Sequence, residues 1–153
     1  MDINEKRNPK RENFQMVPQP VKDDPGMVTV DTTWGKIQPI NIADGVSTVD
    51  EMQVYEYQQN GLQLIDARKT HFYEESTIPG STNIPHTEVV ERMEELDRSQ
   101  PAIFFCNGPQ CPQSPTAIKN LLKNGYPADK ILYYRGGMHD WVTMGLPVKR
   151  PEH

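Results

Sequence analysis

The sequence predicts an α/β fold in which a central, mostly parallel sheet is flanked by helices. Short apolar runs alternate with helix-like stretches over most of the chain, and Gly, Pro and Asn residues separate them. This alternation is typical of βαβ units, whose parallel strands are buried on both faces and therefore consist of apolar runs. A chain of 153 residues is long enough to form one domain with a buried core.

The composition divides the chain into three parts. Residues 1–26 are rich in charged residues, Asn, Gln and Pro, so we predict a mobile tail, with a docking segment for a partner as the alternative. Residues 27–45 contain an alternating β-branched run, Met27 to Thr33, and a second extended piece, Lys36 to Ile42. We expect this segment to add an edge to the sheet or to wrap the domain. Residues 46–150 carry the alternating strands and helices and form the predicted domain.

Apolar spacing and capping signals give the predicted elements of this domain in order. The stretch Ser47 to Asp50 matches a capping box and predicts a helix that stops at Asn60-Gly61. Ser114-Pro115 predicts the start of another helix, with Ser as its N-cap and Pro at its first position. The expected strands are 62–65, 83–84, 102–105 and 131–134, and the remaining expected helices are 69–75 (helix or turn), 86–96 and 137–144.

Charge and composition exclude several classes of function. The net charge of −5 and a pI near 5.3 argue against nucleic acid as a partner. No apolar run approaches the roughly 18 residues of a membrane helix, and the first residues lack the apolar core of a secretory signal. Two cysteines do not make a disulfide framework, so we expect a cytoplasmic protein whose cysteines are catalytic or redox-active.

The stretch AIFFCNGPQCPQSPTA, from Ala102 to Ala117, is the strongest candidate for a functional site. Cys106 is the first residue after a buried strand, and a helix begins shortly after it. Backbone N–H groups of such a loop converge on one point, and the helix adds its positive N-terminal end. Because both features favour a thiolate, we predict a lowered pKa and a nucleophilic role for Cys106.

Four motifs, in order, resemble those of single-domain rhodanese-like sulfurtransferases. The cysteine loop at 102–117 is the third along the chain, and the first, LIDAR (Leu64 to Arg68), is similar to the family's strand that ends in Asp-x-Arg. TIPGSTNIP (Thr77 to Pro85) is similar to its H-I-P-G-A-x-N-I-P segment, and YYRGGMHDWVTMGLPV (Tyr133 to Val148) to its closing G-G-x-x-x-W…G-L-P-V. The resemblance covers roughly 46–148 and implies a three-layer rhodanese-like fold with Cys106 as the persulfide carrier.

The loop also departs from the family pattern C-x-x-G-x-R. Pro109 stands at the glycine position and Cys111 at the arginine position. The missing arginine predicts weaker use of thiosulfate, and the second sulfur raises the question of a redox or relay role. Pro109 and Pro112 have no N–H group, so the predicted anion-binding loop depends on other amides. The candidate substrate-binding residues are Asn107, Gly108, Pro109, Gln110 and Cys111.

Three charged residues are predicted to support the site. Asp66 and Arg68 follow a strand and are expected to form an ion pair that holds the loops. Arg135 follows another strand and is a candidate for the positive charge that the loop lacks. Metal binding would need two ligands beyond the cysteines, and no histidine has zinc-finger spacing, so we expect neither metal nor cofactor.

These observations predict a sulfurtransferase in which Cys106 takes a sulfane sulfur and passes it to a thiol or cyanide. Its expected partners are a small sulfur-containing anion or persulfide donor, a thiol acceptor and a protein sulfur acceptor. A phosphatase- or arsenate-reductase-like enzyme is disfavoured because the loop has no arginine. A non-catalytic rhodanese-like binding module and a Cys106/Cys111 dithiol redox enzyme remain as alternatives.

Overall fold

The computed structural model describes residues 16–30 and 36–151 and shows an α/β fold. Its helices are short, and they alternate with strands after residue 46. The strands are β1 (Gln19–Pro20), β2 (Val28–Thr29), β3 (Ser47–Thr48), β4 (Leu64–Asp66), β5 (Thr82–Asn83), β6 (Ala102–Phe105) and β7 (Ile131–Tyr134). The helices are α1 (Glu51–Gln59), α2 (Thr70–Glu75), α3 (Gln113–Lys123) and α4 (Gly137–Thr143), with 3₁₀ turns at Met93–Glu95 and Ala128–Lys130.

The main sheet is parallel and has the strand order β3–β7–β6–β4–β5. β6 lies at its centre, where Phe104 pairs with Ile65 of β4 on one side and with Tyr133 of β7 on the other. All strands of this sheet run in one direction, so their carboxyl ends form one edge. Ligands of open α/β sheets bind at that edge. The predicted fold class is confirmed.

The core occupies both faces of the sheet because side chains of a strand alternate between faces. Phe104 packs with Ile118 and Leu121 of α3 on one face. Phe105, the next residue of β6, packs with Trp141 of α4 on the other. Side chains on both faces exclude water, which explains why β6 is an uninterrupted apolar run.

Three predicted boundaries are wrong. Residues Ser47–Thr48 pair with β7 as a strand, and the capping box is formed by Asp50 and Gln53 at the start of α1. Pro112, not Ser114, is the N-cap of α3. Residues 86–96 form turns and a 3₁₀ segment instead of a helix.

The loss of the predicted helix at 86–96 has a physical reason. The His86 N–H donates to the carbonyl oxygen of Ala67 at 2.9 Å, which ties the start of the segment to the end of β4. Val89 is fully buried and anchors the segment in the core. Tertiary contacts therefore override an apolar spacing that also fits a helix.

The segment before the domain forms its own small ribbon. β1 and β2 pair antiparallel, separate from the main sheet, so β2 adds no edge to it. The expected strand Met27 to Thr33 is reduced to two residues here, and its last part lies outside the described residues. The described residues 36–42 contain no strand. Residues 1–15 of the predicted mobile tail also lie outside the described part, and the mobility of the tail stays a prediction.

Across residues 16–30 and 36–151, no helix is both long enough and apolar enough to span a bilayer.

Candidate active site

The candidate active site is the loop that joins β6 to α3 at the carboxyl edge of the sheet. The first turn of α4 fixes this loop from behind. The N–H groups of Met138 and His139 donate to the carbonyl oxygens of Cys106 and Asn107 at 2.9 and 2.8 Å. Gly137 has a φ of +58°, and a Cβ placed there would lie 2.4 Å from the Cys106 carbonyl oxygen. Glycine is therefore required for α4 to approach the loop so closely.

Cys106 is buried within this loop, with 2% of its surface exposed. Its Sγ lies 3.3 Å from the Ser114 N–H in the first turn of α3 and 3.6 Å from the Cys111 carbonyl oxygen. The Cys111 N–H in turn donates to the Gly108 carbonyl oxygen at 3.0 Å, which closes the loop. The N-terminal end of α3 therefore faces the sulfur of Cys106, as the sequence predicts.

Cys111 lies beside Cys106 and is buried to the same degree. The Cys106 thiol donates its hydrogen bond to the carbonyl oxygen of Cys111, so the two residues are in direct contact.

The two cysteines have opposite acidities. The hydrogen bond from Cys106 lowers the pKa of Cys111 to about 7, and the amides of Gln113 and Asn107 and the charge of Arg68 act in the same direction. Burial raises the pKa of Cys106 well above its usual value, and the bond and charge of Cys111 add to this. The sequence-based expectation of a lowered Cys106 pKa is therefore wrong for the reduced pair, whose negative charge resides on Cys111.

Asp66 and Arg68 form a fully buried ion pair next to the loop. Arg68 donates to both carboxylate oxygens of Asp66, with the shortest contact at 2.7 Å. It also donates to Asn107 Oδ1 at 3.1 Å and to the Ser76 carbonyl oxygen at 2.6 Å. Thr77 Oγ1 donates to the second Asp66 oxygen at 2.8 Å. The predicted ion pair is present, and it fixes Asn107 in the cysteine loop.

The central strand and its cysteine loop lie within a region of the chain that matches a known protein family. The model of the rhodanese-like domain matches residues 50–144. The chain belongs to the rhodanese-like domain family. This rhodanese-like domain contains β4 to α4, and thus both cysteines and the Asp66–Arg68 pair.

Individual proteins similar to this chain share about 30% of their residues with it over the matched region. The domain is 32% identical over 85 residues to an HTH-type transcriptional regulator of Mycobacterium tuberculosis, covering 56% of this chain and 36% of that protein. It is 28% identical over 89 residues to a sulfurtransferase of Allochromatium vinosum, covering 58% of this chain and 79% of the relative. The chain thus spans little more than a third of the regulator's length.

A solved structure shows the same fold. The thiosulfate sulfurtransferase of Pseudomonas aeruginosa superposes with a TM-score of 0.62 at 22% identity, covering 74% of this chain and 22% of that one. At this identity the likeness concerns the fold alone.

Arg135 binds the segment that contacts the outer rim of the rhodanese-like loop. Its Nη1 donates to the carbonyl oxygen of Gln38 at 3.1 Å. Gln38 in turn donates from its backbone N–H to the Pro109 carbonyl oxygen at 2.8 Å, and from its side chain to the Gln110 carbonyl oxygen at 3.1 Å. Arg135 and Gln38 together therefore hold the outer rim of the loop.

Sequence reasoning missed Gln38 as a site residue. It lies outside the family motifs and about seventy positions from the loop it contacts. Met16 also approaches this rim, since its Cγ would lie 3.4 Å from a Cβ placed on Gly108. No local pattern marks either contact, because both depend on how the segment before the domain folds back over it.

Several buried polar atoms near the cysteines have no hydrogen-bond partner among the described residues. Ser114 Oγ, Tyr133 Oη and both amide atoms of Gln110 belong to this set. Burial, followed by the charges of Cys106 and Cys111, raises the pKa of Tyr133, which places its hydroxyl within electrostatic reach of the pair. Within the described ranges, no three His, Cys, Asp or Glu side chains converge to hold a metal ion.

Proposed function

We propose that this rhodanese-like domain is a sulfurtransferase that carries a sulfane sulfur as a persulfide on Cys106. It passes this sulfur to a thiol or to cyanide. The position of Cys106 Sγ carries the proposal, since it faces the Ser114 N–H at the start of α3 and lies 3.6 Å from the carbonyl oxygen of Cys111. The similarity to the A. vinosum sulfurtransferase supports the same class of reaction.

Activation of Cys106 proceeds through its neighbour. The Cys106 thiol keeps its proton, whereas Cys111 has the lower pKa of the two, about 7, and carries the first negative charge of the pair. Transfer of this proton to Cys111 leaves a thiolate on Cys106, and the thiolate is the nucleophilic form. Cys106 then attacks the outer sulfur of a donor R–S–S⁻, so that the new Cys106–S bond forms as the S–S bond of the donor breaks and R–S⁻ leaves.

The loop favours some donors over others. Cys111 occupies the position where an arginine would attract an anion, and that attraction is a charge-assisted contact worth roughly 1.5–3 kcal/mol. A thiolate at this position repels a small anion such as thiosulfate instead. We therefore expect persulfide or polysulfide donors to be used in preference to thiosulfate.

Substrate access requires movement at the loop rim. Both cysteine side chains are buried, and the contacts of Gln38 with Pro109 and Gln110 lie across the rim. A donor reaches Cys106 Sγ when this rim opens. The acceptor, either a small thiol or a cysteine of a partner protein, enters by the same route. Both cysteines are free thiols, which suits the reducing cytoplasm.

The test is the mass of the tryptic peptide Ser99–Lys119, which contains both cysteines. Cys111→Ser, Cys106→Ser and wild-type protein are treated with polysulfide above the ordinary cysteine pKa of about 8.5. We expect Cys111→Ser to gain one sulfur atom that added cyanide removes, and Cys106→Ser to gain none. Cys111→Ser is the informative variant because it has no second thiol that could consume the persulfide. A transferable sulfur on Cys106→Ser, or none on Cys111→Ser, would contradict the proposal.

A further inference from the structure

We propose that Cys111 is a resolving thiol that attacks the persulfide on Cys106 and releases its sulfur as hydrogen sulfide. This inference rests on the proposed function and extends it. The domain would then be a thiol-dependent sulfide-releasing enzyme, in addition to a carrier that hands sulfur to an external acceptor.

The first argument is position. Both cysteines are buried, and the Cys106 sulfur lies 3.6 Å from the carbonyl oxygen of Cys111. The turn between the Cys111 N–H and the Gly108 carbonyl oxygen keeps both ends of the loop together. Pro109, Pro112 and Pro115 stiffen the segment, which from sequence alone favours an inert Cys111. The structure reverses this preference, because the loop holds Cys111 in contact with the Cys106 sulfur, and a stiff loop keeps it there.

The second argument is the ionisation of Cys111. Hydrogen bonding with Cys106, followed by the amides of Gln113 and Asn107 and the positive charge of Arg68, lowers the pKa of Cys111 to about 7. These contacts keep Cys111 as a thiolate near neutral pH. An attacking thiol performs best when its pKa is close to the ambient pH, so Cys111 has the acidity of an efficient nucleophile.

The step balances in atoms and electrons. The Cys111 thiolate attacks the inner sulfur of Cys106–S–SH, the Cys106–Cys111 disulfide forms, the bond to the outer sulfur breaks, and HS⁻ leaves. The two cysteine sulfurs lose two electrons, and the sulfane sulfur gains them. A small-molecule thiol or dithiol then reduces the disulfide and returns both cysteines to the starting state.

Attack at the outer sulfur is the competing reaction. It would move the sulfur to Cys111 and leave Cys106 as a thiolate, with no sulfide and no disulfide. The burial of the pair favours the inner attack, because loss of HS⁻ removes one negative charge from a site that disfavours charge.

The experiment follows one turnover without added thiol. Wild type, Cys111→Ser and Thr116→Ala are loaded with polysulfide above pH 8.5, about the ordinary cysteine pKa. They are then freed of donor under anaerobic conditions and returned to neutral pH. Thr116→Ala is the matched control, since Thr116 is exposed on α3 and lies on the same tryptic peptide.

We expect wild type and Thr116→Ala to release one sulfide per chain at least about tenfold faster than Cys111→Ser, since a neighbouring thiol acts at high effective concentration. Their Ser99–Lys119 peptide should become lighter than the reduced peptide by two hydrogen atoms, while Cys111→Ser keeps its sulfur until a thiol is added. Retention of sulfur by wild type for as long as by Cys111→Ser would overturn the inference, and so would sulfide release without a disulfide.

The outcomes separate this inference from the proposed function. Sulfur uptake by Cys111→Ser together with stable sulfur on wild type would leave the sulfurtransferase intact and remove the resolving role. Absence of uptake in every protein would contradict both. If Cys111→Ser does not fold, wild type alone still tests the resolving role. Both of its cysteines must then become unreactive to alkylation as sulfide appears.

Discussion

Two buried polar clusters lie side by side at the carboxyl edge of the sheet, and they differ in how completely their hydrogen bonds are made. In the ion-pair cluster of Asp66, Arg68, Thr77 and Asn107, the carboxylate, guanidinium and hydroxyl groups all have partners. In the cysteine cluster of Cys106, Cys111 and Ser114, the Cys106 thiol makes a long bond of 3.6 Å to the Cys111 carbonyl oxygen, and the Ser114 hydroxyl has no partner among the described residues.

This difference distinguishes a cluster that stabilises the structure from one that can react. A buried network with every partner present is rigid, and it costs much to break. A cluster with unmatched polar atoms can exchange protons and accept new bonds at little cost to the fold. We therefore assign the ion-pair cluster to positioning, through its contact with Asn107, and the cysteine cluster to sulfur transfer.

The largest expected effect on stability comes from breaking the ion pair. Arg68→Met leaves the Asp66 carboxylate buried without its partner, and we expect the free energy of unfolding to fall by about 3–5 kcal/mol. Urea denaturation followed by circular dichroism measures this loss. The double variant Asp66→Leu/Arg68→Met removes both charges and should recover a large part of it. A loss below about 1 kcal/mol in Arg68→Met would show that the pair is not a structural support.

A smaller effect on stability is expected from removing the tyrosine hydroxyls of β7. Tyr133 and Tyr134 are adjacent buried residues of β7, but only Tyr134 donates to a described partner, Glu51 Oε1, at 3.1 Å. Tyr134→Phe should cost about 1 kcal/mol of unfolding free energy, while Tyr133→Phe should be neutral or stabilising because it removes an unsatisfied hydroxyl. Chemical denaturation of the two variants in parallel provides the comparison. Equal losses in both would mean that the Tyr133 hydroxyl has a partner after all.

Much of the fold could be predicted from the sequence because its central strands carry the strongest local signal. The uninterrupted apolar runs of β6 and β7 require burial on both faces, so their bounds at 102–105 and 131–134 are confirmed. The segment 86–96 shows the limit of this reasoning. Its apolar spacing fits a helix, but the contact of His86 with β4 determines its path.

The candidate site could be predicted only in part for the same reason. Sequence spacing places Cys106 at a strand end and Asp66 and Arg68 beside it. The direction of the Cys111 side chain depends on the closed turn of the loop, and the contact of Gln38 with the rim joins distant parts of the chain. Neither is encoded in a local pattern, so the order of acidity of the two cysteines could not be obtained from the loop motif.

The central claim is that Cys111 carries the thiolate charge of the reduced pair and activates Cys106. The most direct test is to titrate thiolate absorbance in wild type, Cys106→Ser and Cys111→Ser. Because the pKa of Cys111 is lowered, its thiolate should form as the pH rises through about 7 and be lost as the pH falls below it. We predict this step in wild type and in Cys106→Ser, where the serine hydroxyl can still donate to Cys111. In Cys111→Ser the step should vanish, and Cys106 should ionise only above its usual pKa because of its burial. A low step that persists in Cys111→Ser and disappears in Cys106→Ser would contradict the claim and place the charge on Cys106.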